Sequence, residues 1–346
     1  MTLPWIWFIL VGVLIMGYAI LDGFDLGIGV LYPFLAKDEA ERSVLRSAIG
    51  PVWDGNEVWL ITAGGALFAA FPFAYAFAFS GFYLAIMLVL FGLILRAVSL
   101  EMRHRDEKWK RLWDATFFLG SFVPALLLGC AVGNIIRGVP MELSVTGGGG
   151  GGPDYAGTFW QLLNPYSLLV AVTGLAMFVT QGSAWAALKS EGALRERAAR
   201  VRSIAQLVFV LLVVATTVAT LVVVSDQVSH AMTTFWGWLA LVVFVAGIAI
   251  ARWAMSRGSD VGAFAASSLA VAGLIGLWGA GAWPYLIRPR DGAYGLGIQA
   301  PLLHSSHLTL TVMLLIAVVF VPIVLLYVAW VYKTFWGRIP REKAEY

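Results

Sequence analysis

Runs of about 20 mostly apolar residues recur along the whole chain, and each is long enough to cross the roughly 30 Å hydrocarbon core of a bilayer as a helix. Of the 346 residues, 60% are hydrophobic and 12% are charged, a composition that excludes a water-soluble globular protein. Alternating ten-residue segments typical of membrane strands are missing from the sequence. We therefore predict an all-α integral membrane protein with a single membrane domain over residues 1–346.

The apolar runs predict nine transmembrane helices. The first begins close to Met1, has no basic leader and exceeds the length of a signal-peptide core, so we expect it to be retained. The predicted spans lie near residues 5–34, 51–71, 73–99, 114–138, 161–188, 203–225, 235–253, 262–287 and 303–332.

The basic residues predict the orientation of these spans. With the N-terminus outside and each span crossing once, 20 of the 23 Lys and Arg residues fall on the inner side. Arg137, Arg288 and Arg290 are the three that remain outside. Such a split follows the positive-inside rule and predicts an outer N-terminus and an inner C-terminus. The positive charge thus indicates membrane topology and contact with anionic lipid, and it gives no reason to expect nucleic acid.

Glycines have two different predicted roles. Gly147 to Gly152 form an unbroken run in an outer loop, which we expect to be mobile and not part of a site. Within the spans, the groups at residues 23–29, at Gly64 and Gly65, and at residues 273–281 are expected to let helices approach closely.

The chain offers few ligands for a metal or a haem. Cys130 is its single cysteine, so neither an intrachain disulfide nor a thiolate metal site can form within it. His304 and His307 are three residues apart near the outer end of the last span and could face one ligand. No histidine on another span lies at a matching depth, so an exposed interfacial pair is the simpler interpretation. We expect this chain to hold no metal and no haem.

Four carboxylates lie near the inner ends of the first two spans. Asp22 and Asp25 are three residues apart in the first span, while Asp54 and Glu57 flank Asn56 at the start of the second. A charge in the bilayer is costly unless it is paired, hydrated or protonated, so such residues usually have a function. No basic residue lies within the first span, so its acids must find partners elsewhere, bind a cation or hold a proton. The alternative, strongest for Glu57, is that acids in a first turn stabilise the helix terminus.

Six longer motifs carry a family resemblance. They are DGFDLGIG (22–29), WDGNEVWLITAGGALFAAFP (53–72), AFSGFY (78–83), GSFVPALLLGCAVGNIIRGVP (120–140), FWQLLNPYSLL (159–169) and VPIVLLYVAWVY (321–332). In order and spacing, nearly end to end, the chain resembles subunit II of the cytochrome bd-type quinol oxidases. The resemblance implies nine spans, arranged as two four-helix bundles and one peripheral helix.

The same resemblance implies a partner and a reaction. Subunit II of this family forms a heterodimer with a haem-bearing subunit I, which holds two b-type haems and one d-type haem, and small accessory subunits are left open. The complex lies in the bacterial cytoplasmic membrane, oxidises quinol at the outer face and reduces oxygen to water with protons taken from the cytoplasm.

The resemblance also ranks the site residues. In the family the residue matching Asp54 stands at the entrance of a proton path toward the oxygen-reducing haems, which makes Asn56 and Glu57 its neighbours on that path. Many relatives have Gln at the position of Glu57. Some members hold a structural quinone near the residue matching Trp53, for which an aromatic anchor at the membrane interface is the alternative. Asp25 and Asp22 are relay candidates of second rank.

Two other functions fit some of these features. A proton-coupled secondary transporter would also carry paired acids in its spans, although we find no convincing inverted repeat of broken helices. A scaffold that only stabilises a haem subunit would fit everything except the intramembrane acids.

Overall fold

The computed structural model describes residues 2–106, 108–143, 153–290 and 297–344, and the predicted mobile run Gly147 to Gly152 lies outside them. The first half of this part of the chain contains α1 (Leu3–Leu35), α2 (Glu39–Ile49), α3 (Trp53–Ala70), α4 (Pro72–Gly81), α5 (Tyr83–Met102), α6 (Lys110–Arg137), β1 (Met141–Leu143) and β2 (Pro153–Tyr155). The second half contains α7 (Phe159–Leu162), α8 (Pro165–Lys189), α9 (Gly192–Val223), α10 (Ser225–Thr233), α11 (Phe235–Ser256), α12 (Asp260–Ala282), β3 (Tyr285–Ile287), β4 (Ile298–Gln299), α13 (His307–Thr334) and a 3-10 turn (Arg341–Lys343). The strands form two antiparallel pairs, β1 with β2 and β3 with β4.

Eight of the described helices are long and apolar enough to cross a membrane: α1, α5, α6, α8, α9, α11, α12 and α13. The chain is therefore an all-helical, multi-pass membrane protein, as predicted. The predicted second span corresponds to α3, an 18-residue helix that is not among these eight. Length and apolar composition thus identify one span fewer than the nine predicted from the sequence.

The predicted third span, 73–99, is wrong as one continuous helix. It consists of α4 and α5, which are separated at Phe82. The side chain of Tyr155 in β2 packs against the end of α4, where a Cβ at Gly81 would come within 2.8 Å of the Tyr155 Cβ. This contact lies where α4 ends and α5 begins, so the two helices do not continue as one straight helix.

Two other predicted boundaries also differ from the structure. Helix α9 begins at Gly192 instead of near residue 203, because the arginines that precede the apolar run belong to the same helix. The predicted eighth span ends at residue 287, whereas α12 ends at Ala282 and the following residues form β3.

Glycines bring α1 and α8 into backbone contact. A Cβ at Gly27 would overlap the carbonyl oxygen of Phe178, and one at Gly182 would overlap the backbone of Gly27. Similarly, a Cβ at Gly273 on α12 would lie 2.4 Å from the backbone nitrogen of Phe244 on α11. These contacts confirm the predicted close approach of helices. Gly64 and Gly65 depart from that prediction, since no atom lies within 4 Å of a Cβ built at either one.

One end of the bundle is tied together by charged side chains. This basic end comprises α2, the starts of α3, α6, α9 and α12, and the C-terminal segment after α13. The buried carboxylate of Asp260 accepts hydrogen bonds from Arg195 at 2.7 Å and Arg202 at 3.0 Å. Asp38 caps α2 and accepts a hydrogen bond from Arg341, whose guanidinium holds the pKa of Asp38 below its usual value. This hydrogen bond holds the C-terminal segment against α2 at the basic end.

Candidate functional site

Three helices bring the predicted acids together. Asp22 and Asp25 on α1, Asn56 and Glu57 on α3, and Arg96 on α5 form what we call the acid cluster. The sequence predicts that the acids of the first two spans lie at a similar depth. In the structure Arg96 links Asp22 to Glu57, and Asn56 contacts Asp25. Asp22 and Asp25 are completely buried, and Asn56 is 2% exposed.

Arg96 joins the two helices that carry the acids. Its Nη2 donates to Asp22 Oδ1 at 2.7 Å and also to Glu57 Oε1. The guanidinium is 1% exposed, whereas the Glu57 side chain retains a fifth of its exposure. A buried arginine held by carboxylates fixes α1, α3 and α5 relative to one another, because separating the charges would leave each one unpaired.

Arg96 is a residue of the acid cluster that was not predicted from the sequence. It is one of the 20 inner basic residues that set the predicted topology. A signal was nevertheless present, because Arg96 is the one charged residue between Tyr83 and Leu100. A lone charge in an apolar run indicates a partner inside the protein.

Asp25 has an amide as its partner. Asn56 Nδ2 donates to Asp25 Oδ2 at 2.7 Å, and Asn56 Oδ1 accepts from the hydroxyl of Tyr332 at 2.8 Å. Tyr332 lies near the end of α13, so this hydrogen-bonded chain joins the last helix to the first. Asn56 was predicted as a residue of the proton path, and the structure places it in contact with Asp25, while Tyr332 was not predicted.

Asp54 and Trp53 lie at the edge of the acid cluster. Asp54 is exposed in the first turn of α3, and it makes no hydrogen bond or ion pair with the described residues. It precedes Glu57 by three residues, which places both carboxylates on one side of the helix. Trp53 is half-buried and packs against the apolar core formed around Phe24 and Trp185.

A cavity of about 100 Å³ lies at the basic end, beside the hydrogen-bonded chain of Tyr332. This volume has room for several water molecules. The ammonium group of Lys189 lines it, donates to the carbonyl oxygen of Phe335 and lies 5.1 Å from the ring centre of Trp185. The other lining residues are Ser47, Ala48, Pro51, Val52, Trp185, Tyr332, Phe335 and Ile339.

The histidines and the cysteine lie apart from the acid cluster. His304 Nδ1 lies 2.7 Å from the carbonyl oxygen of Ser305, and His307 is exposed next to Thr311. Cys130 is buried and its Sγ lies 3.1 Å from the carbonyl oxygen of Leu162. Each of these side chains therefore has its own local contact, and none joins another.

This chain is similar to known proteins of one family. The family described as Cytochrome bd terminal oxidase subunit II matches residues 3–335. The Cytochrome bd-I ubiquinol oxidase subunit 2 of Escherichia coli K12 is 38% identical, with 99% of this chain and 97% of the relative covered. The Probable cytochrome oxidase subunit 2 of Haemophilus influenzae is also 38% identical, with coverages of 97% and 95%.

The fold has a counterpart among solved structures. A chain of the bd oxidase from Geobacillus thermodenitrificans superimposes with a TM-score of 0.77 at 16% identity, covering 97% of this chain and 99% of that chain. At this identity the likeness concerns the fold, while the sequence matches above identify the family. The chain belongs to the cytochrome bd terminal oxidase subunit II family.

Proposed function

We propose that this chain is the non-haem subunit II of a bd-type terminal quinol oxidase in the bacterial cytoplasmic membrane. It would cross the membrane nine times, with α3 as the additional short span, an outer N-terminus and an inner C-terminus. The spans would form two four-helix bundles and one peripheral helix. The full-length match to a bd-I ubiquinol oxidase subunit 2 supports this function. With the family established, the proton-coupled transporter is set aside.

The partner in this proposal is a haem-bearing subunit I, which would hold two b-type haems and one d-type haem and reduce oxygen. The four histidines of this chain, His104, His230, His304 and His307, are half-buried or exposed, so they do not supply axial ligands facing each other inside a bundle. This placement of the histidines supports a chain that holds no haem. The strongly exposed apolar surface of α13 would contact lipid or the partner.

The function assigned to the acid cluster is proton uptake from the cytoplasm. The observation that carries this proposal is a gradient of burial along the carboxylates. Asp54 is exposed, Glu57 is one-fifth exposed, and Asp22 and Asp25 are fully buried. An exposed carboxylate can exchange a proton with water. The more buried carboxylates of Glu57, Asp22 and Asp25 can then receive that proton farther from water. Asn56 orients the last carboxylate, Asp25, through its hydrogen bond.

Asp54→Asn tests this path. The amide keeps the shape of the side chain but cannot exchange a proton, so oxygen consumption by the purified complex should fall at least about tenfold. The haem absorption spectrum should remain that of the wild type, because Asp54 makes no contact on which the fold depends. Asp154→Asn, which changes an exposed aspartate in β2, is the matched control and should keep full activity. Wild-type oxygen consumption by Asp54→Asn, with an intact haem spectrum, would remove Asp54 from the path.

Trp53 is the proposed contact of a structural quinone. Its half-buried ring stands beside Asp54 at the start of α3, where an aromatic face could pack on a quinone ring or tail. We expect lipid extracts of the wild-type complex to contain quinone and those of Trp53→Leu to contain several-fold less, as measured by mass spectrometry. Equal quinone in both extracts, or none in the wild type, would leave Trp53 as an interfacial anchor.

A further inference from the structure

The most buried part of the acid cluster has more negative than positive charge. Asp22 and Asp25 are 0% exposed and Arg96 is 1% exposed. With all three ionised, two carboxylates face a single guanidinium. Glu57 also forms an ion pair with that guanidinium, but the partial exposure of Glu57 lets water stabilise its charge. One negative charge in the buried set is therefore not compensated.

Arg96 compensates Asp22 and leaves Asp25 without a cation. Asp25 accepts one hydrogen bond, from the neutral amide of Asn56. Its Oδ1 is buried without a partner among the described residues, and so is Oδ2 of Asp22. The two residues are three apart on α1, so these carboxylates share one face of the helix. On the Asp22 side, the hydroxyl of Tyr18 and the guanidinium of Arg96 are buried donors. Among the described residues Asp25 has no donor besides the amide of Asn56, and its second oxygen is what one proton would satisfy.

Within the part of the chain that the structure describes, the elements packed around this face offer no second cation. Helix α1 itself contributes the buried hydroxyl of Tyr18, one turn from Asp22. Helix α13 contributes the hydroxyl of Tyr332, which is already directed at Asn56. Helix α8 packs on this part of α1 through Phe178 and Gly182. The charged groups that act on Asp25 are thus Asp22, Glu57 and Arg96.

An ionised carboxylate in such a place is too costly to persist. A buried charge without a counterion shifts its equilibrium toward the neutral form, and in the bilayer water cannot offset the penalty. Pairing Asp25 with Arg96 would not solve the problem, because Asp22 would then be left unpaired. A proton on the pair brings the buried set to zero net charge.

We propose that the buried pair of Asp22 and Asp25 holds one proton in the resting complex, carried by Asp25, the carboxylate without a cationic partner, and that this pair is a proton store. The storage follows from the geometry of this chain, while its use in oxygen reduction rests on the proposed function. A proton reaching Asp25 forms an O–H bond and neutralises the pair. Its departure toward the partner subunit restores the carboxylate, which then draws the next proton. No electron is transferred in either step.

The test is infrared spectroscopy of the purified complex. A protonated carboxyl group has a carbonyl stretch that ionised carboxylates lack and that shifts to lower frequency in D₂O. The spectrum of the wild type should contain one such band that is lost in Asp25→Asn. Glu57→Gln, the matched control in the same cluster, should retain the band, because its removal leaves the Asp22, Asp25 and Arg96 set unchanged.

A second variant keeps the test decisive if Asp25→Asn does not assemble. In Asp25→Glu the acid remains, so the band should persist but lose its sensitivity to carbon-13 labelling of aspartate carboxyl groups. Identical spectra of the wild type and the Asp25 variants in the protonated-carboxyl region would overturn the proposal. That result would leave proton uptake through Asp54 untouched, since oxygen consumption by Asp54→Asn measures it separately.

Discussion

Arg96→Gln is expected to lower the stability of the protein by about 3–5 kcal/mol, because removing one partner of a buried ion pair leaves the other charged and unpaired. In this case the group left unpaired is Asp22, which is completely buried and has Arg96 as its cationic partner. Glu57 would lose the same partner, although its exposure limits the effect. The loss should appear as a poor yield of the complex and a lower midpoint of thermal unfolding.

A rescue experiment separates this explanation from a general intolerance of change at Arg96. The double variant Arg96→Gln with Asp22→Asn removes both charges, so it should recover part of the lost stability. Arg200→Gln changes an exposed arginine of α9 and should unfold at the wild-type midpoint. If Arg96→Gln alone unfolds like the wild type, the ion pair does not stabilise the fold.

The members of the acid cluster differ in how far the sequence predicts them. Intramembrane carboxylates stand out in any apolar run, so Asp22 and Asp25 could be predicted without a structure. Their partner could not be, because the side chain of Arg96 belongs to a helix that is more than 70 residues away in the chain. Topology counting also treats an arginine near the end of a span as part of the adjoining loop. The structure shows its guanidinium directed inward instead.

Helix geometry explains why Asp54 and Asn56 have different environments. Residues two apart on an α-helix are rotated by about 200°, so they lie on nearly opposite sides. The structure accordingly places Asn56 against Asp25 and leaves Asp54 exposed. The motif WDGNEV contains both residues, but which side faces α1 depends on how α3 packs. This information comes from tertiary contacts, as does the break at Phe82 that divides the predicted third span.

Gly27→Ala is expected to have an effect of similar size, about 3 kcal/mol or more, through packing alone. The new Cβ would overlap the carbonyl oxygen of Phe178 and lie 2.9 Å from the Cα of Gly182. Backbone atoms of α8 cannot move aside as the end of a flexible side chain can, so α1 and α8 would have to separate. Unfolding midpoint and haem content of the complex measure the loss.

Gly12→Ala provides the matched control, because it makes the same change on the same helix at a position with no atom within 4 Å of the new Cβ. It should keep the wild-type midpoint, whereas Gly182→Ala, which approaches the same contact from α8, should behave like Gly27→Ala. Asp25 is two residues from Gly27, so a separation of α1 from α8 would also move the carboxylate away from Asn56. Gly27→Ala should therefore impair oxygen consumption even in molecules that assemble, and a stable, fully active Gly27→Ala complex would show that the helix contact does not position the acid cluster.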